Sequence, residues 1–182
     1  MAVRGFDLTK KNLIIIITII VIVLILLLTV LTYNDLVRLD QNVEAQWSEI
    51  KNQDQRKVDL IPQLVSLLSG YQEFESSTLE NITALRGGYL NATTDKERAN
   101  ISVEMSSMFN DIQVTFEAYP YLNSIESLLG VQDEIAGTEN RIAYARSKYI
   151  DDVREYNTKV RSFPSNLIAG TFGFEEKENL FA

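Results

Sequence analysis

The chain has 182 residues, 46% of them hydrophobic, with 25 acidic against 17 basic side chains and a formal charge of −8. It contains no cysteine and no histidine, which excludes disulfide scaffolds, thiolate chemistry, Cys/His zinc sites, histidine general bases and a histidine phosphorelay. The charge is uneven: residues 1–32 carry +2 (Arg4, Lys10 and Lys11 against Asp7) and the rest −10, which argues against nucleic acid or an anionic lipid surface as partner of the acidic part as a whole.

After a short N-terminal segment, residues 1–12, the stretch LIIIITIIVIVLILLLTVLTY at 13–33 carries no charge, proline or glycine. About 20 apolar residues in a helix match the roughly 30 Å hydrocarbon core of a bilayer, so the stretch predicts a transmembrane helix in contact with membrane lipid. A signal peptide would have a shorter apolar region ending in small residues before a cleavage site. Thr32-Tyr-Asn-Asp35 follows instead, and an uncleaved anchor is expected. Basic residues before the span (Arg4, Lys10, Lys11) slightly outnumber those just after it (Arg38, Lys51), a weak positive-inside signal for a cytoplasmic N-terminus.

Beyond Tyr33 the pattern becomes periodic. Leu36, Leu39, Val43, Trp47 and Ile50 recur at spacings of three or four with polar residues between them, which predicts an amphipathic helix. No proline or glycine separates it from the span, so anchor and first helix are expected to be continuous. After the polar tract Lys51-Asn-Gln-Asp-Gln-Arg-Lys57, Asp59 and Pro62 suit the start of a new helix, and a tight turn is expected near 58–60, with a kink at Pro62 as the alternative. The second helix is expected from about Ile61 to Arg86, carrying Gly70 inside it and ended by Gly87-Gly88. Thr94-Asp-Lys-Glu97 fits a capping box, so a third helix should start at Asp95 and stop at Pro120. A fourth is expected from about Asn123 to Ser162. At about forty residues it would span roughly 60 Å. Phe163-Pro164 ends it.

No period-two pattern persists and no repeat appears beyond heptad-like spacing. The expected fold is all-α: an N-terminal transmembrane helix continuous with an antiparallel up-and-down four-helix bundle over 34–163, then a C-terminal tail, 164–182. Asn81-Ile-Thr, Asn91-Ala-Thr and Asn100-Ile-Ser are candidate N-glycosylation acceptors around an expected loop. If used, they place the domain outside the cytoplasm; chance occurrence in an Asn- and Ser/Thr-rich chain is the alternative.

Several blocks carry a resemblance. Tyr33-Asn-x-Leu-Val37, Asp59-Leu-Ile-Pro-x-Leu-Val65, Glu117-Ala-Tyr-Pro120, Thr138-Glu-Asn-Arg-Ile-Ala-Tyr-Ala-Arg146, Tyr156-Asn-Thr-Lys159, Phe163-Pro-Ser-Asn-Leu-Ile-Ala-Gly170 and Phe172-Gly-Phe174 occur in the order found in the LemA family, which the chain resembles over nearly its whole length. The resemblance implies a helical bundle on a single membrane anchor and no established enzymatic activity. One relative works in magnetosome formation, which implies membrane-organising roles. The family name has also been attached to sensor kinases, which lack of histidine and of an ATP-binding motif rules out here. The asparagine triplets lie outside the matching blocks and suit a lineage that glycosylates its surface, for instance an archaeon.

Two candidate sites follow. Glu139, Asn140, Arg141, Tyr144 and Arg146 form the densest polar cluster of the fourth helix, either an interaction surface whose arginines grip a carboxylate or phosphate, or an interhelical network. Phe163, Leu167, Ile168, Phe172 and Phe174 make an apolar tail that folds back over the bundle, lies in the membrane interface, or docks on a neighbouring subunit for head-to-tail assembly. A di-metal site is disfavoured without histidine, and no cofactor is expected. The functional expectation is a membrane-anchored, non-enzymatic, homo-oligomeric scaffold; the alternative is an adaptor or sensor subunit binding another membrane protein such as a protease or signalling component.

Overall fold

A computed structural model describes residues 10–72, 74–119, 121–122 and 125–181. Arg4 of the basic flank, Pro120 as a helix stop and Asn123 as a helix start lie outside the described residues. Among the described residues there are five α-helices and no strand: α1 (Lys10–Leu68), α2 (Ser76–Asn91), α3 (Asp95–Ala118), α4 (Glu126–Arg161) and α5 (Ser165–Phe172).

The apolar stretch and the first amphipathic stretch belong to one 59-residue helix, α1. From Leu13 to Leu31 its large apolar side chains are exposed, a contiguous surface far beyond what water-facing proteins carry. This part is long and apolar enough to cross a membrane. Its two hydroxyls are satisfied locally, Thr18 Oγ1 donating to the Ile14 carbonyl and Thr29 Oγ1 to that of Ile25, each at 2.9 Å. In hydrocarbon no water would do this for them. From Leu36 onward one stripe of α1 is buried.

The chain divides into two compact units, Met1–Gln41 with Glu155–Glu176, and Asn42–Arg154 with Lys177–Ala182. In the first, Leu36, Leu39, Tyr156 and Ala169 are buried. The second holds a core to which α1 gives Val58, Ile61, Leu64 and Leu68, α2 gives Leu79, Ile82 and Tyr89, α3 gives Met105, Phe109, Ile112 and Phe116, and α4 gives Leu128, Val131 and Ile135.

The expected turn at 58–60 is absent. α1 continues through Pro62 to Leu68. Proline has no N–H to offer the carbonyl four residues earlier, that of Val58. Arg86 supplies the missing donor, its Nε reaching the Val58 oxygen at 3.2 Å. Asp59, expected to cap a new helix, instead accepts from Gln55 Nε2 at 2.9 Å. The break falls at 69–75, so Gly70 lies in a connection and the expected second helix is split between the end of α1 and α2.

Gly87-Gly88 does not end α2, which runs on to Asn91. A β-carbon on Gly88 would sit 3.4 Å from Ile101 Cδ1, so Gly88 faces α3. α3 starts at Asp95, as expected, with Thr94 Oγ1 accepting from the Glu97 N–H at 3.1 Å. Glu97 reaches back one residue further than expected, accepting from the Thr93 N–H at 2.9 Å. Thr94→Ala should lower stability by about 1 kcal/mol in urea denaturation, as loss of an N-cap oxygen does elsewhere.

α4 spans 36 residues, with Gly130 and Gly137 inside it and Lys159 and Arg161 in its last turn, where cations face the helix's negative end. The tail contains a helix that sequence reading did not anticipate. Ser165 starts α5, its Oγ donating to the carbonyls of Lys159 at 2.6 Å and Ser162 at 2.8 Å. Gly173 ends it at φ +77°, a conformation glycine adopts without a steric cost.

Candidate functional site

On α1 the buried positions after Ile50 are Asp54, Lys57, Val58, Ile61, Leu64 and Leu68, so the three-or-four spacing of the apolar stripe runs straight through the polar tract. The side chains of Asp54 and Lys57 are 0% and 1% exposed. α3 places Ser102 on its own buried stripe between Ala99 and Met105, and α4 brings Glu139 and Arg146. A polar layer thus sits within the second unit, with two acidic and two basic groups.

Its geometry is tightly connected. Lys57 Nζ lies 2.6 Å from Glu139 Oε1 and 3.8 Å from Asp54 Oδ1, donates to Ser106 Oγ at 2.9 Å, and stands 5.7 Å from the centre of the Phe109 ring. Ser102 Oγ donates to Asp54 Oδ1 at 2.7 Å and accepts from Arg146 Nη2 at 2.5 Å. The Arg146 guanidinium also lies 5.1 Å from the Phe181 ring centre. Phe181 packs with Trp47 and Tyr149, at centroid distances of 6.0 and 5.7 Å, so the chain's last residues close over this layer.

Burial disfavours the charges of Asp54, Lys57 and Arg146. It pushes the Asp54 carboxyl above the usual carboxylate range, opposed first by Lys57. Burial likewise lowers Lys57 and Arg146, opposed in both by Asp54 and Glu139. Asp54 Oδ2 and Arg146 Nε have no hydrogen-bond partner among the described residues. A shift of register between these helices would separate the paired charges, which makes the layer a candidate register device.

The five polar residues expected on α4 do not converge. Glu139 and Arg146 enter the buried layer. Arg141 turns elsewhere, its Nε donating to Gln53 Oε1 at 2.9 Å and its Nη2 to Thr138 Oγ1 at 3.0 Å. Asn140 and Tyr144 are exposed, Tyr144 beneath Lys148 Nζ at 5.9 Å. The two arginines therefore form no common clamp. Asp54, Lys57, Ser102 and Ser106 were missed by sequence reading, although extending the apolar register through residues 51–57 lands on the first two.

Of the tail residues, Phe172 and Phe174 present ring edges to Tyr33, at centroid distances of 5.0 and 5.6 Å. Phe163 and Leu167 are exposed and Ile168 is half-buried. Beside Tyr33, Asp35 pairs with Arg38 at 2.6 Å and Lys159 at 2.7 Å, contacts that hold its carboxyl below the usual range, Lys159 contributing most. Asn81, Asn91 and Asn100 are all exposed; Asn81 and Asn100 lie within helices, and Asn91 is the last residue of α2. A shallow groove on α2 and α3 is lined by Ala84, Leu85, Gly88, Glu104 and Met108. No cluster of three or more metal-ligating side chains occurs among the described residues.

Comparison with known proteins adds a family relation. A family model described as the LemA family matches residues 46–182. Protein LemA of Metamycoplasma hominis is 26% identical over 137 residues, covering 75% of this chain and 63% of that protein. Magnetosome proteins MamQ 2 and MamQ 1 of Paramagnetospirillum magneticum are each 21% identical over 175 residues, covering 82% of this chain and 64% of theirs. The chain spans less than two thirds of the length of these curated relatives.

Proposed function

The chain belongs to the LemA family, and from that premise we propose that it is a membrane-anchored, non-enzymatic scaffold that self-assembles at the membrane. The observation that carries this reading is α1: a single helix holds both the apolar stretch and the Val58–Leu68 part of the core. Each folded copy then arrives on its own span, and any array of copies is an array of spans. The ionisable groups best placed for chemistry are engaged with one another inside the protein, which supports a structural role. The relatives named as magnetosome proteins support an organising role in a membrane-bound structure.

On this reading residues 34–163 form an antiparallel up-and-down bundle of the latter part of α1 with α2, α3 and α4, consistent with short connections and a shared core. The N-terminus is cytoplasmic and the bundle extracytoplasmic. The basic flank supports that orientation, as do exposed asparagines at 81, 91 and 100. Protease added to intact cells should degrade the bundle, and Asn→Gln changes at the three positions should raise gel mobility if they carry glycans. Protection of the bundle in intact cells would reverse the orientation.

Native mass measurement in detergent, combined with cross-linking in the membrane, tests self-assembly. Discrete or open-ended homo-oligomers are expected. A monomer bound to a stoichiometric foreign membrane protein would instead favour an adaptor, the second reading, for which the groove on α2 and α3 offers a docking surface.

A further inference from the structure

The apolar stretch ends at Tyr33, and the chain's C-terminal part returns to that residue. Phe172 and Phe174 set their edges against the Tyr33 ring, at interplanar angles of 62° and 69°. They bring with them α5, SNLIAGTF, which carries no charge. Its inward side is small and polar or small and apolar: Ser165 and Ala169 are the buried residues. Its exposed residues are Leu167 and Phe172 together with Asn166, Gly170 and Thr171. Phe163, on the turn before α5, is 80% exposed, Leu167 60% and Phe172 53%. Large apolar side chains facing water are costly, and the neighbour of α5 in the fold is the end of the apolar stretch at Tyr33.

The charged residues nearby form a rim beyond this apolar face. Asp35, Arg38 and Lys159 are joined by ion pairs, and Arg161 is bonded to Glu176. Apolar span, aromatic ring cluster and charged rim follow one another as the hydrocarbon, interfacial and aqueous layers of a bilayer edge do. We infer that α5 with Phe163 is an interfacial membrane-binding element, its Phe163–Leu167 face seated among the lipid headgroups and upper acyl chains of the leaflet where Tyr33 ends the span. The continuity of this face with the span through Tyr33 singles out lipid as its occupant over a protein. The chain thus holds the membrane twice, once across it and once along its surface. α5 binds through apolar area, so it needs no anionic lipid and is compatible with the acidic charge of the rest of the chain.

This rests on the membrane-anchored reading, and one experiment separates the two. The chain has no cysteine, so single cysteines are unique labelling sites. The full chain carrying Ile22→Cys, Phe163→Cys or Leu167→Cys is labelled with an environment-sensitive fluorophore and reconstituted into phosphatidylcholine vesicles. The vesicles contain lipids brominated either near the headgroup or near the chain terminus, and circular dichroism confirms that each variant keeps its helix content. The label at 22 should lose most of its emission to the deep bromines. Labels at 163 and 167 should lose most of theirs to the shallow bromines, little to the deep ones, and should resist aqueous iodide. If 22 behaves so while 163 and 167 respond to iodide alone, α5 faces water and the inference fails. If 163 and 167 resist both quenchers, a second copy or the chain itself covers the face, and the inference fails in that way. If 22 is not quenched by either lipid, the anchored reading falls and the role of α5 with it.

Discussion

Lys57→Met is expected to destabilise the second unit by about 3–5 kcal/mol, the usual result of removing one partner from an enclosed ion pair. Lys57 is the junction of the polar layer, touching Glu139, Asp54 and Ser106 while almost wholly enclosed. Methionine fits the aliphatic stem but leaves the layer's two carboxylates with Arg146 alone to balance them. Unfolding of the full chain in detergent can be followed through Trp47, the only tryptophan, which packs on Tyr149 and Phe181 beside the layer. Replacing all four charges together, Asp54→Leu, Lys57→Met, Glu139→Leu and Arg146→Met, should be far milder, neutral or stabilising by about 1–4 kcal/mol. If the fourfold variant falls as far as Lys57→Met alone, the layer contributes stability in its own right and its reading as a register device is wrong.

The pH dependence of the single variants has a defined sign. The Asp54 carboxyl is raised on folding, so its burial weighs least in acid and most at neutral pH. In the native protein Lys57 offsets part of that penalty. Without Lys57 the folded value rises further, and the deficit of Lys57→Met relative to the native protein should narrow as pH falls from the variant's folded value to the native one. Lys57 is lowered on folding, and Asp54→Asn removes one of the groups that hold it up. The deficit of Asp54→Asn should therefore narrow in the opposite direction, as pH climbs from the variant's folded value of Lys57 to the native one. Two parallel profiles would mean that the groups do not sense one another.

Local signals made the helical class, the apolar stretch and the start of α3 legible. Thr94 and Glu97 lie three residues apart, and their contact is settled within one turn. The polar layer is a different kind of feature. Asp54 and Lys57 stand in the apolar register, but a polar tract reads as solvent-facing until Ser102, 48 residues away, and Arg146 are known to meet it. Glu139 and Arg146 were singled out in company with Arg141 and Tyr144, which leave the helix in other directions. The glycine pair at 87–88 reads as a stop by local rule, yet both glycines lie inside α2, which runs on to Asn91. α5 escaped notice because eight residues are too few to display a helical period.

The misplaced turn yields the second large prediction, since Pro62 and Arg86 should behave as one device. Val58 is fully enclosed, and its carbonyl loses its intrahelical donor to the proline ring. Arg86→Met removes the replacement donor and should cost about 1–3 kcal/mol, the range for a buried polar group left unpaired. Pro62→Ala restores an N–H at 62. It forfeits about 0.4–1 kcal/mol through a more flexible unfolded chain but removes the larger cost, about 3 kcal/mol, of proline inside a helix, so a net gain is expected. In the Pro62→Ala background Arg86→Met should then be nearly silent, giving a coupling within the range of about 0.5–3 kcal/mol seen for residues that share a partner. Strict additivity would show that Arg86 acts through its stem or its charge and that the Val58 oxygen is satisfied in some other way. A coupling of the expected size would mean that the continuity of α1 past Pro62, which sequence rules would have broken, is held in place from α2.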